Sequence, residues 1–360
     1  MKRVFTAVTI VLLVVGLAPY AQAGHENHRS YDITLAGVEL RPGVAADLQV
    51  KIYVNTGHPC ASNTVLGIHG MAQTAATWEP FVNELFADNP AGRKVCRFVA
   101  INLPGHGGSG LPTGGLAFGD LAIQDYVAAT LGAMDRLDDF GLRPHTLIGH
   151  SLGGLVVQMT QQALVDRGTT LRSAYGVKNV VLLASALPGS LPWPSFDSNP
   201  LVGMLAGFGT WSPDLGVYLD IPYEPTPVPG FPAPVLPWQM MLFMTRSYAL
   251  VPGTPMPSDV AAKGYHAFVP GTVAWQMQQQ RPLVEAGIFG RDRGTSLSLV
   301  TYEQDPLLTL PEVQGLYAYL TGDGGATGVA FVMGSYAVHN THMSDPALLL
   351  WSVACAARLP

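Results

Sequence analysis

The residues with the most chemical promise lie in a run that neither a strand nor a helix would choose. Around Ser151 the chain reads "PHTLIGHSLGG", and Gly149-His150-Ser151-Leu152-Gly153 within it matches Gly-x-Ser-x-Gly. In that pattern a sharp turn between a strand and a helix presents the serine hydroxyl in a strained backbone conformation. The glycines remove side chains that would clash with the turn. A glycine-rich turn with an incidental serine is the bland alternative, but here an apolar run precedes the motif and the helix-like "GLVVQMTQQAL" follows it. A serine hydroxyl is a poor nucleophile at neutral pH; it needs a base within hydrogen-bond reach and a third group that orients the base. Of the 10 histidines, only His339 and His342 lie beyond the last predicted strand, and Glu303 and Asp305 compete for the acid in "TYEQDPLL". His339 and His342 at i, i+3 also invite a metal reading, but no further ligand cluster accompanies them and a metal takes three or four. No metal and no cofactor is therefore expected.

These side chains need a scaffold that brings distant loops together. "YDITLAGVEL" and "DLQVKIYVNTG" read as a leading pair of strands. "NTVLGIHG", "CRFVAINLPG", "HTLIGHS", "VKNVVLLASAL", "SLSLVTYEQD" and "GVAFVMGS" follow, short and almost continuously apolar, as strands buried on both faces should be. Between them run amphipathic helix candidates, "TWEPFVNELFAD", "IQDYVAATLGAMDRL" and "GLVVQMTQQALVDR", and "DPALLLWSVACAARL" closes the chain. Strand and helix in alternation predict a mostly parallel eight-stranded sheet with helices on both faces. Residues 188–285 break the pattern, because they crowd Pro with Trp, Met and Phe. Proline removes backbone donors and stops helices, so this stretch reads as a cap inserted between two strands rather than as core helix or strand. Trp193, Trp238, Met241 and Phe243 within it are candidates to line an apolar substrate pocket, or else to form the cap's own core.

Composition agrees with a large globular enzyme. The chain has 360 residues, 48% of them hydrophobic and 12% charged, enough for a sizeable core. Its first segment, "MKRVFTAVTIVLLVVGLAPYAQAG", has a basic start, an apolar run and small residues at Ala21 and Ala23, the pattern of a secretory signal cleaved after Ala23. The apolar run is shorter than the roughly 20 residues that span a bilayer, so a stable membrane anchor is not expected. Loss of Lys2 and Arg3 with residues 1–23 takes the formal charge from -6 to -8. With no basic cluster, nucleic acid is an improbable partner. Export permits disulfides, and Cys60 and Cys96 precede two strands that would put them at the same end of a sheet, so a Cys60–Cys96 bridge is expected. Cys355, in an apolar run, reads as a small buried hydrophobe. Residues 24–187 and 286–360 then form one core around the 188–285 insertion.

From about Asp47 onward the chain resembles the α/β-hydrolase family. "IHGMAQTAATW" is similar to the family's His-Gly oxyanion loop, "NLPGHGGSG" to the loop after the next strand, "GHSLGG" to the nucleophile elbow and "VHNTHMSDPALL" to the histidine loop before the final helix. The resemblance implies the α/β-hydrolase fold and the chain order Ser, acid, His. It selects His339 over His342, and Asp305, which precedes Pro306, over Glu303. It also implies oxyanion donors at the backbone N–H groups of Met71 and Leu152, the second at a helix N-terminus whose partial charge favours an anion. His69, His106 and His150 are expected to stabilise loops, and Ser109 in "GGSG" lacks the spacing of a nucleophile. A serine in place of an aspartate argues against dehalogenase and epoxide-hydrolase chemistry, which needs an alkyl-ester intermediate.

The expected function is that of a secreted or periplasmic serine hydrolase of small carboxylic esters or lactones, with apolar or aromatic substrates. Amidase, peptidase or carbon–carbon hydrolase activity is the alternative on the same fold. A non-catalytic binding protein is the alternative of another class, and the complete Ser, Asp and His set speaks against it.

Overall fold

In the computed structural model the described residues are 27–57, 63–198 without 72 and 88–91, 270–322 without 293, 303, 304 and 306, 329–332, 339, 347, 349 and 350. Eight strands form one sheet in the order β1-β2-β4-β3-β5-β6-β7-β8. They are β1 (His28–Arg41), β2 (Val44–Asn55), β3 (Thr64–Ile68), β4 (Arg97–Ile101), β5 (Thr146–His150), β6 (Asn179–Leu183), β7 (Ser296–Tyr302) and β8 (Val329–Val332). β1 and β2 form an antiparallel pair, and β2 runs antiparallel to β4. From β4 to β8 every pairing is parallel. Each of the eight predicted strands is present.

Alternate residues of the central strands feed two cores. Leu66, Ile68, Val99, Ile101, Leu147, Val180, Leu182, Leu297 and Leu299 point into one cluster. Val65, Phe98, Ala100, Ile148, Val181, Leu183, Val300 and Tyr302 point into the other. That division is the period of two expected of a pleated strand buried on both sides. The first core is covered by α2 (Ile123–Asp139) and α3 (Leu152–Asp166), through Leu131, Leu137, Leu155 and Val156 among others. The second is covered by α1 (Glu79–Leu85), through Phe81, Val82 and Leu85, together with Trp78 and with Leu349 and Leu350 near the chain end. The helices predicted around 77–88, 123–137 and 154–167 are present. The first begins with a 3-10 turn, Ala75–Trp78, whose N-cap Thr74 accepts the Ala76 N–H.

Among the described residues, four helices had no counterpart among the predicted ones: α4 (Leu171–Tyr175), α5 (Pro194–Asp197), α6 (Gly271–Gln279) and α7 (Leu310–Thr321). α5 and α6 lie inside 188–285 and correct the expectation that this stretch holds no ordinary helix. α6 is a proline-free run between prolines, and Val273 and Met277 on it are buried in the first core. Trp193 and Phe196 join the same core. Both described ends of the insertion are therefore built into the body of the domain. Residues 199–269 lie outside the described residues.

Candidate active site

The site begins with the backbone of Ser151. This residue follows β5 directly and is the N-cap of α3, with φ 52° and ψ −118°, a conformation that L-residues rarely adopt. The sequence around it makes the strain possible. A Cβ on Gly149 would sit 2.4 Å from the Gly153 carbonyl oxygen, and one on Gly153 would sit 2.4 Å from the Ile68 oxygen at the end of β3. Only glycine permits so close an approach of strand, turn and helix. The neighbouring strand holds the turn in place: Ser151 N–H donates to the Leu183 carbonyl at 3.0 Å, and Ala186 N–H donates to the Ser151 carbonyl at 2.9 Å. The hydroxyl is thus carried on a strained residue held by two hydrogen bonds to the end of β6 and the loop that follows it.

The structure brings Ser151, His339 and Asp305 into one hydrogen-bonded line. Ser151 Oγ lies 3.0 Å from His339 Nε2, and His339 Nδ1 lies 2.9 Å from Asp305 Oδ2. Asp305 and His339 are both buried, at 6% and 7% exposure. A carboxylate can only accept, so Nδ1 carries the proton and Nε2 is left as the acceptor facing the serine. The second carboxylate oxygen is also fixed, because Leu307 N–H donates to Asp305 Oδ1 at 2.9 Å. His342 and Glu303, the competing base and acid, lie outside the described residues.

Two further residues tie the loops of the site to each other. Gln73 Oε1 accepts the Gly70 N–H at 2.9 Å and stands 3.1 Å from His150 Nδ1. His150 Nε2–H donates to the His339 carbonyl at 2.9 Å. The loop after β3, the elbow and the histidine loop are therefore joined through buried side chains. His69 accepts the Leu103 N–H on Nε2 at 3.1 Å and donates from Nδ1 to the Gly70 carbonyl at 2.8 Å. His106 Nδ1–H donates to Pro104 O at 3.1 Å. Ser109 bonds to Asn102 O and to Gln49 N–H, which anchors its loop to β2. Gln73 was absent from the sequence candidates, and its position three residues after Gly70 was the only signal for it.

Of the expected oxyanion donors, Leu152 opens α3, where first-turn N–H groups have no partner within the helix. Met71 follows Gly70 in the turn after β3, its side chain packed against the first core. Among the expected pocket residues Trp193 is buried at 2% exposure, with its indole N–H donated to Leu307 O at 2.6 Å. Trp238, Met241 and Phe243 lie outside the described residues. Cys96 is disulfide-bonded, and Cys60 and Cys355 are both outside the described residues. Among the described residues no group of three or more His, Cys, Asp or Glu could hold a metal, and no helix is long and apolar enough to cross a membrane.

A search of curated protein sequences finds no match. Solved structures of similar fold include the thioesterase domain from the curacin biosynthetic pathway, 16% identical with a TM-score of 0.54, covering 91% of this chain and 99% of that one. A thermophilic esterase from Thermogutta terrifontis is 15% identical with a TM-score of 0.54, over 90% of this chain and 96% of its own. An esterase from Exiguobacterium antarcticum is 12% identical with a TM-score of 0.54, over 86% and 95%. The sequence profile of the alpha/beta hydrolase family matches residues 65–349, a span that runs from the second residue of β3 through β8 and contains all three residues of the hydrogen-bonded line. This chain, in sequence and in fold, belongs to the alpha/beta hydrolase family.

Proposed function

We propose that the protein is a serine hydrolase of carboxylic esters or lactones that works through an acyl-enzyme. The unbroken line Ser151 Oγ, His339, Asp305, on a strained elbow, is the observation that carries this reading. His339 Nε2 takes the hydroxyl proton as Ser151 Oγ attacks the ester carbonyl. The tetrahedral oxyanion is met by the N–H groups of Met71 and Leu152, and Asp305 balances the imidazolium that forms. The carbon–oxygen bond to the alcohol then breaks, and His339 returns the proton to the leaving oxygen. Water, deprotonated by the same imidazole, attacks the acyl-enzyme and releases the acid. The His150 and Gln73 ties hold the base loop and the oxyanion loop in register with the serine. The esterases of similar fold are consistent with this chemistry, and apolar or aromatic substrates are the class that suits the Trp- and Met-rich insertion.

The same reading includes export. The leader of residues 1–23 and a disulfide at Cys96 both suit an oxidising compartment, so secretion or a periplasmic location is proposed. Cys60 is the proposed partner, because Cys96 N–H bonds to the Asn63 carbonyl at 2.9 Å, which brings the chain three residues after Cys60 beside it.

The test is hydrolysis of p-nitrophenyl esters of increasing acyl length by the mature protein beside Ser151→Ala. Activity that disappears in the variant supports the reading, and its optimum length sizes the acyl site. Hydrolysis undiminished in Ser151→Ala would refute it.

A further inference from the structure

Resting on that reading, we infer that the base of the inserted segment sets the orientation of the acid: Trp193 and Ser195 act as positioning residues for Asp305 through Leu307. The two ends of the insertion are clasped together. Gly189 N–H donates to Pro282 O at 2.8 Å, and the Ser190 hydroxyl donates to Val284 O at 2.8 Å. The Arg281 guanidinium pairs with Asp197 at 3.2 Å, donates to Leu191 O and lies over the Trp193 ring at 5.3 Å. Trp193 also stacks on Phe196, with ring centroids 4.3 Å apart.

This clasp docks on the acid loop at one atom. Leu307 O accepts the Trp193 indole N–H at 2.6 Å and faces Ser195 Oγ at 2.8 Å. Ser195 Oγ also lies 2.5 Å from Glu312 Oε2, and its backbone N–H donates to Glu312 Oε1 at 2.9 Å. One hydroxyl proton serves two acceptors there, so the indole N–H is the undivided donor to Leu307. The other side of Leu307 faces the chemistry, since its N–H holds Asp305 Oδ1 and leaves Oδ2 for His339. The donor pair on the carbonyl thus fixes the residue whose N–H fixes the carboxylate plane. In the buried site that plane decides how well the charge faces the imidazolium.

The sequence offered Trp193 as a pocket-lining side chain or as part of the cap's own core. The structure gives its polar handle a partner in the acid loop, the usual arrangement for a buried tryptophan.

The experiment compares Trp193→Phe, Ser195→Ala and Ser195→Thr with wild type in the full mature chain, with Ser198→Ala as a control. Ser198 is exposed, and its hydroxyl bonds back to Pro194 O within its own turn. Trp193→Phe keeps an aromatic ring beside Phe196 but removes the donor together with part of the buried indole's volume, so its melting midpoint is measured alongside. The expected result is a kcat about 10- to 100-fold lower with KM nearly unchanged, the size of effect that a small misplacement of a catalytic group produces. The acid limb of the kcat/KM profile should move to lower pH, because a misdirected carboxylate supports the imidazolium less. Ser195→Ala should move both readouts in the same direction but less, and Ser195→Thr should restore them.

The low-field proton resonance of the imidazole N–H between His339 and Asp305 supplies a readout independent of any substrate. It should shift or broaden in Trp193→Phe and stay in place in Ser198→Ala. A variant that melts as wild type does and keeps the resonance and the acid limb would overturn the inference, even if its kcat fell. Failure of the wild type to hydrolyse esters through Ser151 would instead sink the proposed function, and the resonance would still decide the coupling.

Discussion

Asp305 divides its work between two oxygens, one on the Leu307 N–H and one on His339. In Asp305→Asn the amide oxygen can keep the first bond, but an NH2 then faces Nδ1. The imidazole must switch tautomer, its proton moves to Nε2, and Ser151 loses its acceptor. A kcat about 10⁴-fold lower on a p-nitrophenyl ester, with an unchanged circular dichroism spectrum, is the expected outcome. Activity near wild type would move the acid to another residue. The members of the hydrogen-bonded line were legible as candidates, Ser151 from the glycines around a tight elbow, and Asp305 and His339 from the family resemblance of an Asp before a Pro and a His ahead of the predicted last helix. Gln73, His150 and the two faces of Leu307 were not, because their roles depend on which loops meet. No local spacing reports that His150 reaches the carbonyl of a residue 189 positions away.

Elements place these side chains by close approach. Gly153, in the first turn of α3, packs against the end of β3, where an added Cβ would meet the carbonyl oxygens of Ile68 at 2.4 Å and of His69 just beyond it at 2.5 Å. Backbone cannot swing aside as a side chain can. Gly153→Ala should therefore destabilise the protein by about 1–3 kcal/mol in a denaturant titration and lower activity by displacing the elbow. α7 is anchored by Glu312, whose carboxylate accepts Thr309 N–H at 2.7 Å and Ser195 N–H at 2.9 Å, with the two hydroxyls close by. Burial raises its pKa, but these bonds outweigh burial, and the net position is below the ordinary 4.5. A lowered carboxylate contributes stability that is complete above its unfolded value and is lost as the pH falls through the folded one. The melting midpoint should consequently drop more steeply below about pH 4.5 in wild type than in Glu312→Gln, while the variant melts lower at pH 7. Equal acid slopes would contradict this. The Thr309-x-x-Glu312 capping box was a readable sign of α7, masked by the apolar character of "LYAYLT" beside β7 and β8. α6 was hidden for another reason, since the prolines around 188–285 lend their character to the whole stretch while Gly271–Gln279 has none.

The molecule as a whole is built on one eight-stranded sheet, with the candidate site at the ends of its strands. The two-sided apolar strands foretold both cores, so the architecture was the most legible level of all. What they could not foretell is that the insertion is rooted in the first core through Trp193, Phe196, Val273 and Met277. Through Trp193 that rooting also meets the acid loop, at the Leu307 carbonyl. At the other end Cys96 lies next to β4, and its N–H bonds to Asn63 beside β3. Reduction of a Cys60–Cys96 bridge should cost about 2–5 kcal/mol of stability, read as a lower denaturation midpoint after confirmed thiol titration. An unchanged midpoint would count against that pairing.

The most direct test of the account is the rate at which a fluorophosphonate modifies the mature protein, with the adduct located by mass spectrometry. The predicted result is a single adduct on Ser151, formed rapidly in wild type, far more slowly in His339→Ala and Asp305→Asn, and not at all in Ser151→Ala. An adduct on another residue, or a rate on Ser151 that ignores His339 and Asp305, would contradict a serine activated by this histidine and this acid.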